Sequence, residues 1–184
     1  MKPWVLISGV KGAGTSALVQ RVAQGLAVAG VPVGGFVQEA VHAHGERVGY
    51  RLRRLDTDAT FPLARRDERP SDDDGEARAC SFVFDPTAFA TARRWLADAP
   101  PDVGLLVIDE VSKLEVSGRG HHDAVVAALE SGRPTLLAVR ADQLFLATER
   151  FGLDEPLAAL EVGPAVDLDA FVATLAAILR RRGP

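Results

Sequence analysis

Gly9 and Gly14 flank a short run, Gly9-Val10-Lys11-Gly12-Ala13-Gly14-Thr15-Ser16, that ends in a hydroxyl. The spacing is that of a phosphate-binding loop, G-x-x-x-x-G-K-[ST], in every position but one: Thr15 stands where the pattern has lysine. Each residue type has a reason. Glycines let the backbone wrap around phosphate oxygens without Cβ clashes. The loop N–H groups and the start of the following helix face the anion. Ser16 is the hydroxyl that would ligate Mg²⁺. Gly9, Val10, Lys11, Gly12, Ala13, Gly14, Thr15 and Ser16 are therefore candidates for binding a nucleotide. What the loop lacks is the cation that reaches the β- and γ-phosphates.

A second run, Leu105-Leu106-Val107-Ile108-Asp109-Glu110, supplies the matching half of such a site. A buried strand delivers Asp109 at its C-terminal end, where it can hold Mg²⁺ through water. Glu110 is placed to orient or deprotonate an attacking water. Two cations are candidates to replace the lost lysine: Lys11, in the same loop, and Arg140, at the end of a strand whose C-terminus faces the usual crevice. The bland alternative for both is a solvated side chain. Losing one charge-assisted hydrogen bond, worth ~1.5–3 kcal/mol, slows turnover by roughly ten- to a hundredfold.

The elements needed to position these residues alternate between strand and helix. Trp4–Ser8 reads as a buried strand. Leu18, Val19, Val22, Leu26 and Ala29 then fall at helical spacing, and Gly30 with Pro32 stops the helix. Val33–Gln38 and Arg47–Leu55 form a β-hairpin around a polar turn, Ala40–Glu46. Arg65–Ala79, charged and without apolar period, is expected to be a mobile surface loop. Ser81–Phe84 is a short strand, and Asp85-Pro86 caps a helix running to about Ala97. Val103–Ile108 and Pro134–Val139 are strands around a helix from about His121 to Leu129. A helical stretch near Leu144–Ala147, a strand near Leu160–Val162 and a helix Leu168–Arg181 complete the chain. The pattern predicts an α/β, three-layer sandwich with a mostly parallel mixed sheet and an inserted β-hairpin, residues 1–184 forming a single domain.

Composition narrows the rest. The 184 residues are 47% hydrophobic, enough for a core, and the net charge of −4 argues against nucleic-acid binding. The lone Cys80 fits a reducing cytoplasm and reads as buried filler. Neither a signal peptide nor a membrane span is visible. His42, His44, His121 and His122 lack metal-site spacing and read as turn or helix-start residues.

Together the motifs resemble a known family. Val107-Ile108-Asp109-Glu110-Val111-Ser112-Lys113-Leu114-Glu115-Val116 is similar to the I-D-E-I-G-K-M-E-L signature of the small nucleoside-triphosphatases first known from thermophiles, which have a human cancer-related member. Gly35-Phe36-Val37-Gln38-Glu39 and Gly45-Glu46-Arg47-Val48-Gly49-Tyr50 resemble a second family segment, and Pro62-Leu63-Ala64 and Ser117 follow in order. The resemblance spans roughly residues 4 to 140. It implies a P-loop fold and slow hydrolysis of nucleoside triphosphates, ATP or GTP with little choice of base. It implies that Ser16 and Asp109 hold Mg²⁺, that Glu110 acts on water, and that Lys113 lies near the site; Lys11, by its place in the loop, is a further catalytic candidate. Glu39 and Arg47 match family positions and either touch ligand or brace the sheet. The chain departs from the family at Thr15, at Ser112, where the family has glycine, and at Gly163-Pro164, where its late N-R segment is missing. The expected function is nucleotide binding with weak or lost hydrolysis. The alternatives are a nucleotide- or anion-binding switch acting on a protein partner, and a phosphotransferase acting on a small molecule.

Overall fold

A computed structural model describes residues 2–66 and 82–182. The strands are β1 (Trp4–Gly9), β2 (Val33–Ala43), β3 (Glu46–Arg54), β4 (Thr60–Arg66), β5 (Phe82–Phe84), β6 (Leu105–Val111), β7 (Thr135–Arg140) and β8 (Ala159–Glu161). The helices are α1 (Thr15–Val28), α2 (Pro86–Ala97), α3 (Lys113–Val116), α4 (His122–Glu130), α5 (Leu144–Phe151) and α6 (Leu168–Arg182). The strands form one mixed sheet in the order β5-β4-β3-β2-β6-β7-β1-β8. Strands β2, β6, β7, β1 and β8 run parallel, and β3, β4 and β5 extend the sheet antiparallel.

Period-two alternation divides the core into two layers. Val5 and Ile7 of β1, Leu105 and Val107 of β6, and Leu136 and Ala138 of β7 pack against α1 and α6. Trp4, Leu6, Leu106, Ile108, Leu137 and Val139 pack on the other side, against α2 and α4. Both faces of the central strands are thus covered, which is why β1, β6 and β7 read as continuous apolar runs. At the start of α2, Asp85 accepts from the Thr87 N–H at 2.8 Å, with Pro86 in the first turn as expected.

The antiparallel end departs from expectation. The turn expected over Ala40–Glu46 shrinks to His44-Gly45, because Ala43 pairs with Glu46 and the ladder continues through Ala40. His44 and Gly45 both have positive φ, 51° and 81°, as a two-residue type I′ turn requires. The hairpin is the start of a three-strand extension, since β4 pairs with β3 and β5. In β4 only Leu63 is buried, so its apolar pattern was too thin to announce a strand. Pro62 sits there beside a register shift opposite Tyr50 and Arg51, a place where a strand tolerates proline. Arg65 and Arg66 belong to β4 and not to the expected loop, because both pair across to β5. Residues 67–79 of that segment and Cys80 lie outside the described residues. Among the described residues no helix is long and apolar enough to cross a membrane.

Candidate nucleotide site

The C-terminal ends of β1, β6 and β7 lie side by side, Gly9 pairing with Arg140 and Asp109 with Ala138. The glycine-rich run leaves β1 as a turn in which the Ala13 N–H donates to the Val10 carbonyl at 3.1 Å. Gly12 is the third residue of that turn, with φ of 82°, and a type II turn needs a positive φ there. Gly14, at φ 88°, is the N-cap of α1, which carries no side-chain cap and no acid in its first turn. The first N–H groups of α1 are therefore not competed for by a carboxylate, a condition for receiving an anion. Thr15 folds back toward β1: a Cβ on Gly9 would stand 2.6 Å from its Oγ1 and 3.0 Å from Val162. Val10 and Lys11 are exposed.

Ser16 and Asp109 come together across 93 residues of sequence. The Ser16 hydroxyl donates to Asp109 Oδ1 at 3.1 Å, and the Gln38 N–H donates to Oδ2 at 3.1 Å. Asp109 is 1% exposed. Burial pushes its carboxyl up to about 7. The Gln38 and Ser16 donors oppose this shift, and the neighbouring Glu110 carboxylate adds to it. A hydroxyl and a carboxylate in contact are hard oxygen donors that fit Mg²⁺, and a cation beside Asp109 would relieve the desolvation that burial imposes.

Glu110 reaches the site through a break in the strand. Leu105 and Val107 face the α1 layer, while Leu106 and Ile108 face the other. Val111 should return to the α1 side, yet it packs with Ile108 on the opposite face. The pairing with β7 shifts between Asp109 and Val111, which leaves Glu110 without a partner on β7. A bulge of this kind re-aims side chains. A regular strand would send Asp109 and Glu110 to opposite faces, and the shift breaks that alternation. Burial pushes the Glu110 carboxyl above its ordinary range, and the positive charges of Arg140 and Lys11 pull it back.

Lys113 is exposed at the first position of α3, and among the described residues its side chain makes no hydrogen bond or ion pair. Glu39 is clamped by Arg53 at 2.6 Å and Arg51 at 2.9 Å. Burial raises its carboxyl, and the two guanidiniums outweigh that and hold it below the ordinary range. Glu39 therefore ties β2 to β3, whereas Arg47 Nη1 donates to the Tyr50 hydroxyl at 2.7 Å within β3. Glu39 and Arg51 also line an open groove of about 620 Å³, with Ser16, Gln20, Arg21 and Gln38, along the side of α1.

Two contributors were not anticipated. The Gln38 N–H holds Asp109, a contact that depends on β2 lying beside β6. Glu115 is 3% exposed and accepts from the N–H groups of Ser112 at 2.9 Å and His121 at 3.0 Å. It fixes the loop after β6 to the start of α4. The signal for it was legible: Ser112-Lys113-Leu114-Glu115 is a capping box. His121 is buried between Phe36 and Phe89, with ring centroids at 4.7 and 4.9 Å, and neither ring nitrogen has a hydrogen-bond partner among the described residues. His122 Nδ1 lies 2.8 Å from the Glu115 carbonyl, and His42 and His44 are exposed on the hairpin. Among the described residues no cluster of His, Cys, Asp or Glu could hold a metal by itself.

A glycine loop between β1 and α1, facing an acid pair at the end of a parallel strand, defines a P-loop α/β protein. Comparison with known proteins narrows this. A family model described as NTPase matches residues 4–162. The bovine cancer-related nucleoside-triphosphatase homolog is 32% identical over 126 residues, which cover 66% of this chain and 66% of that protein, just under two thirds of each. Nucleoside-triphosphatase THEP1 of Methanocaldococcus jannaschii is 27% identical over 137 residues, 72% of this chain and 75% of that protein. The solution structure of a human cancer-related nucleoside triphosphatase matches the fold with a TM-score of 0.76 at 24% identity, covering 99% of this chain and 100% of that one. The chain belongs to the NTPase family.

Proposed function

We propose that this chain acts in the cytoplasm as a single nucleotide-binding domain that holds Mg²⁺–ATP or Mg²⁺–GTP and hydrolyses its terminal phosphate slowly. The observation that carries this reading is the Ser16–Asp109 hydrogen bond at 3.1 Å, which joins the two halves of a P-loop site. In this reading the N–H groups from Gly9 to Ser16 cradle the phosphates, and Ser16 and Asp109 hold Mg²⁺. When bound, the metal neutralises charge between the β- and γ-phosphates. Glu110 orients a water in line with the γ-phosphorus and accepts its proton as the new P–O bond forms. The bond to the β-phosphate oxygen breaks, and the nucleoside diphosphate leaves. The family resemblance assigns Lys113, three residues after Glu110, to the same site. Thr15 places no positive charge in the loop itself, so a cation on the transferring phosphate has to come from another element.

Calorimetry with Mg²⁺–ATP and Mg²⁺–GTP, paired with a phosphate-release assay, tests this. Micromolar binding with slow release is the expected result. No binding at millimolar nucleotide would refute it, and tight binding without release would favour a switch acting on a protein partner. The groove beside Ser16 favours a second reading, transfer of the phosphoryl group to a small polar acceptor seated against Arg21 and Gln38. Phosphate release in the absence of any acceptor would count against that reading.

A further inference from the structure

We infer that Arg140 supplies the positive charge to the β- and γ-phosphates that the loop lysine supplies elsewhere in the family, with Asp142 as its positioning residue. This inference rests on the reading of the site as a nucleoside-triphosphate site.

Three features of the fold lead to Arg140. The first is lateral placement: its Cα is the register partner of Gly9, the first residue of the loop, and paired strands run about 4.8 Å apart. The second is the face. Along β7, Leu136 and Ala138 point to the layer of α1 and α6, and alternation puts Arg140 on that same side. That is the side from which α1 presents its N-terminus and from which Ser16 reaches Asp109. The third is preorganisation. Arg140 Nε donates to Asp142 Oδ1 at 3.1 Å and Nη2 to Oδ2 at 2.6 Å. This fork fixes one edge of the guanidinium. A guanidinium has five N–H donors, so Nη1 and one hydrogen of Nη2 remain, and Nη1 has no hydrogen-bond partner among the described residues.

Lys11 is the competing candidate, since both cations act on Glu110. It stands at the exposed turn Val10–Ala13, and among the described residues nothing holds its ammonium group. Ordering that four-carbon stem on a phosphate costs rotamer freedom, and for Arg140 the ion pair with Asp142 has already met much of that cost. The planar guanidinium is also the better match to two phosphate oxygens at once.

The test is calorimetric titration of Mg²⁺–ATP and Mg²⁺–ADP into the wild type, Arg140→Ala, Lys11→Ala, Asp142→Asn, Thr15→Lys and the double variant Thr15→Lys/Arg140→Ala. Thermal unfolding without nucleotide checks that each variant is folded. Arg140→Ala should weaken ATP about ten- to a hundredfold, the range that one charge-assisted hydrogen bond spans, and should weaken ADP less. Lys11→Ala should lose less than Arg140→Ala, and Asp142→Asn should fall between wild type and Arg140→Ala. The restored lysine in Thr15→Lys should make Arg140→Ala nearly silent, because both cations serve the same oxygens. Unchanged ATP affinity in Arg140→Ala, a larger loss in Lys11→Ala, or an undiminished Arg140 effect beside Lys at 15 would each overturn the assignment. Each of these outcomes would leave the nucleotide site standing. A wild type that binds neither nucleotide would overturn the site itself.

Discussion

Replacing Asp109 with Asn should stabilise the metal-free protein at neutral and alkaline pH while abolishing its response to Mg²⁺. Asp109 is buried, with its carboxyl held at about 7 in place of an ordinary 3.8. The folded chain therefore keeps this proton to higher pH than the unfolded chain does. Stability from this group is intact below about pH 3.8, is lost progressively as pH rises through 7, and is level above that. At ~1.36 kcal/mol per pH unit, the ionised carboxylate costs the fold up to about 4 kcal/mol at pH 8. Asparagine carries no charge and can keep both contacts. Its Oδ1 can accept from the Gln38 N–H, and its amide can donate to Ser16 Oγ, since a hydroxyl both donates and accepts. Urea unfolding of wild type and Asp109→Asn in the presence of a chelator, at pH 5, 6.5 and 8, reads the effect. The variant's advantage should grow with pH by about 1 to 3 kcal/mol between pH 5 and 8. Added Mg²⁺ at pH 8 should raise the wild-type midpoint and leave the variant unmoved. A stability difference that stays constant across pH, or a variant that loses ground as pH rises, would refute the reasoning.

Three further outcomes are expected. Glu110→Gln should retain Mg²⁺–nucleotide binding and lower phosphate release by about 10²–10⁴-fold, the usual range for a general base; equal loss of binding and release would assign Glu110 to ground-state binding. His121→Phe should remove an acid liability. Burial lowers this imidazole to about 3, so wild-type stability falls as pH drops below the ordinary 6.5, and the variant should gain about 2 kcal/mol on wild type between pH 8 and pH 5 in urea melts. Gly35→Ala should unfold the chain or cost several kcal/mol, because a Cβ there would lie 2.2 Å from the Val107 carbonyl oxygen at a φ of 93°; a melting temperature within a degree or two of wild type would show that β2 and β6 can separate without loss.

The sequence by itself carried the family and the order of most elements, and it picked out the glycine loop and the acids that the structure brings together. Those features are local: glycine spacing encodes a turn, apolar runs encode buried strands, and Asp85-Pro86 encodes a helix start. Strand β4 was not legible, because a single buried side chain, Leu63, leaves no periodicity to detect. Nor could sequence order place Gln38 on Asp109 or Arg140 beside Gly9, since both depend on which strands lie side by side. Glu110 is the clearest case. Strict alternation would turn it away from Asp109, and only the register shift against β7 breaks that alternation. The choice between Lys11 and Arg140 has the same origin. Sequence proximity favoured the lysine, whereas the sheet's lateral pairing and the Asp142 fork favour the arginine. Contacts between strands distant in sequence bring Gln38 to Asp109 and Arg140 beside Gly9, an arrangement no local motif encodes.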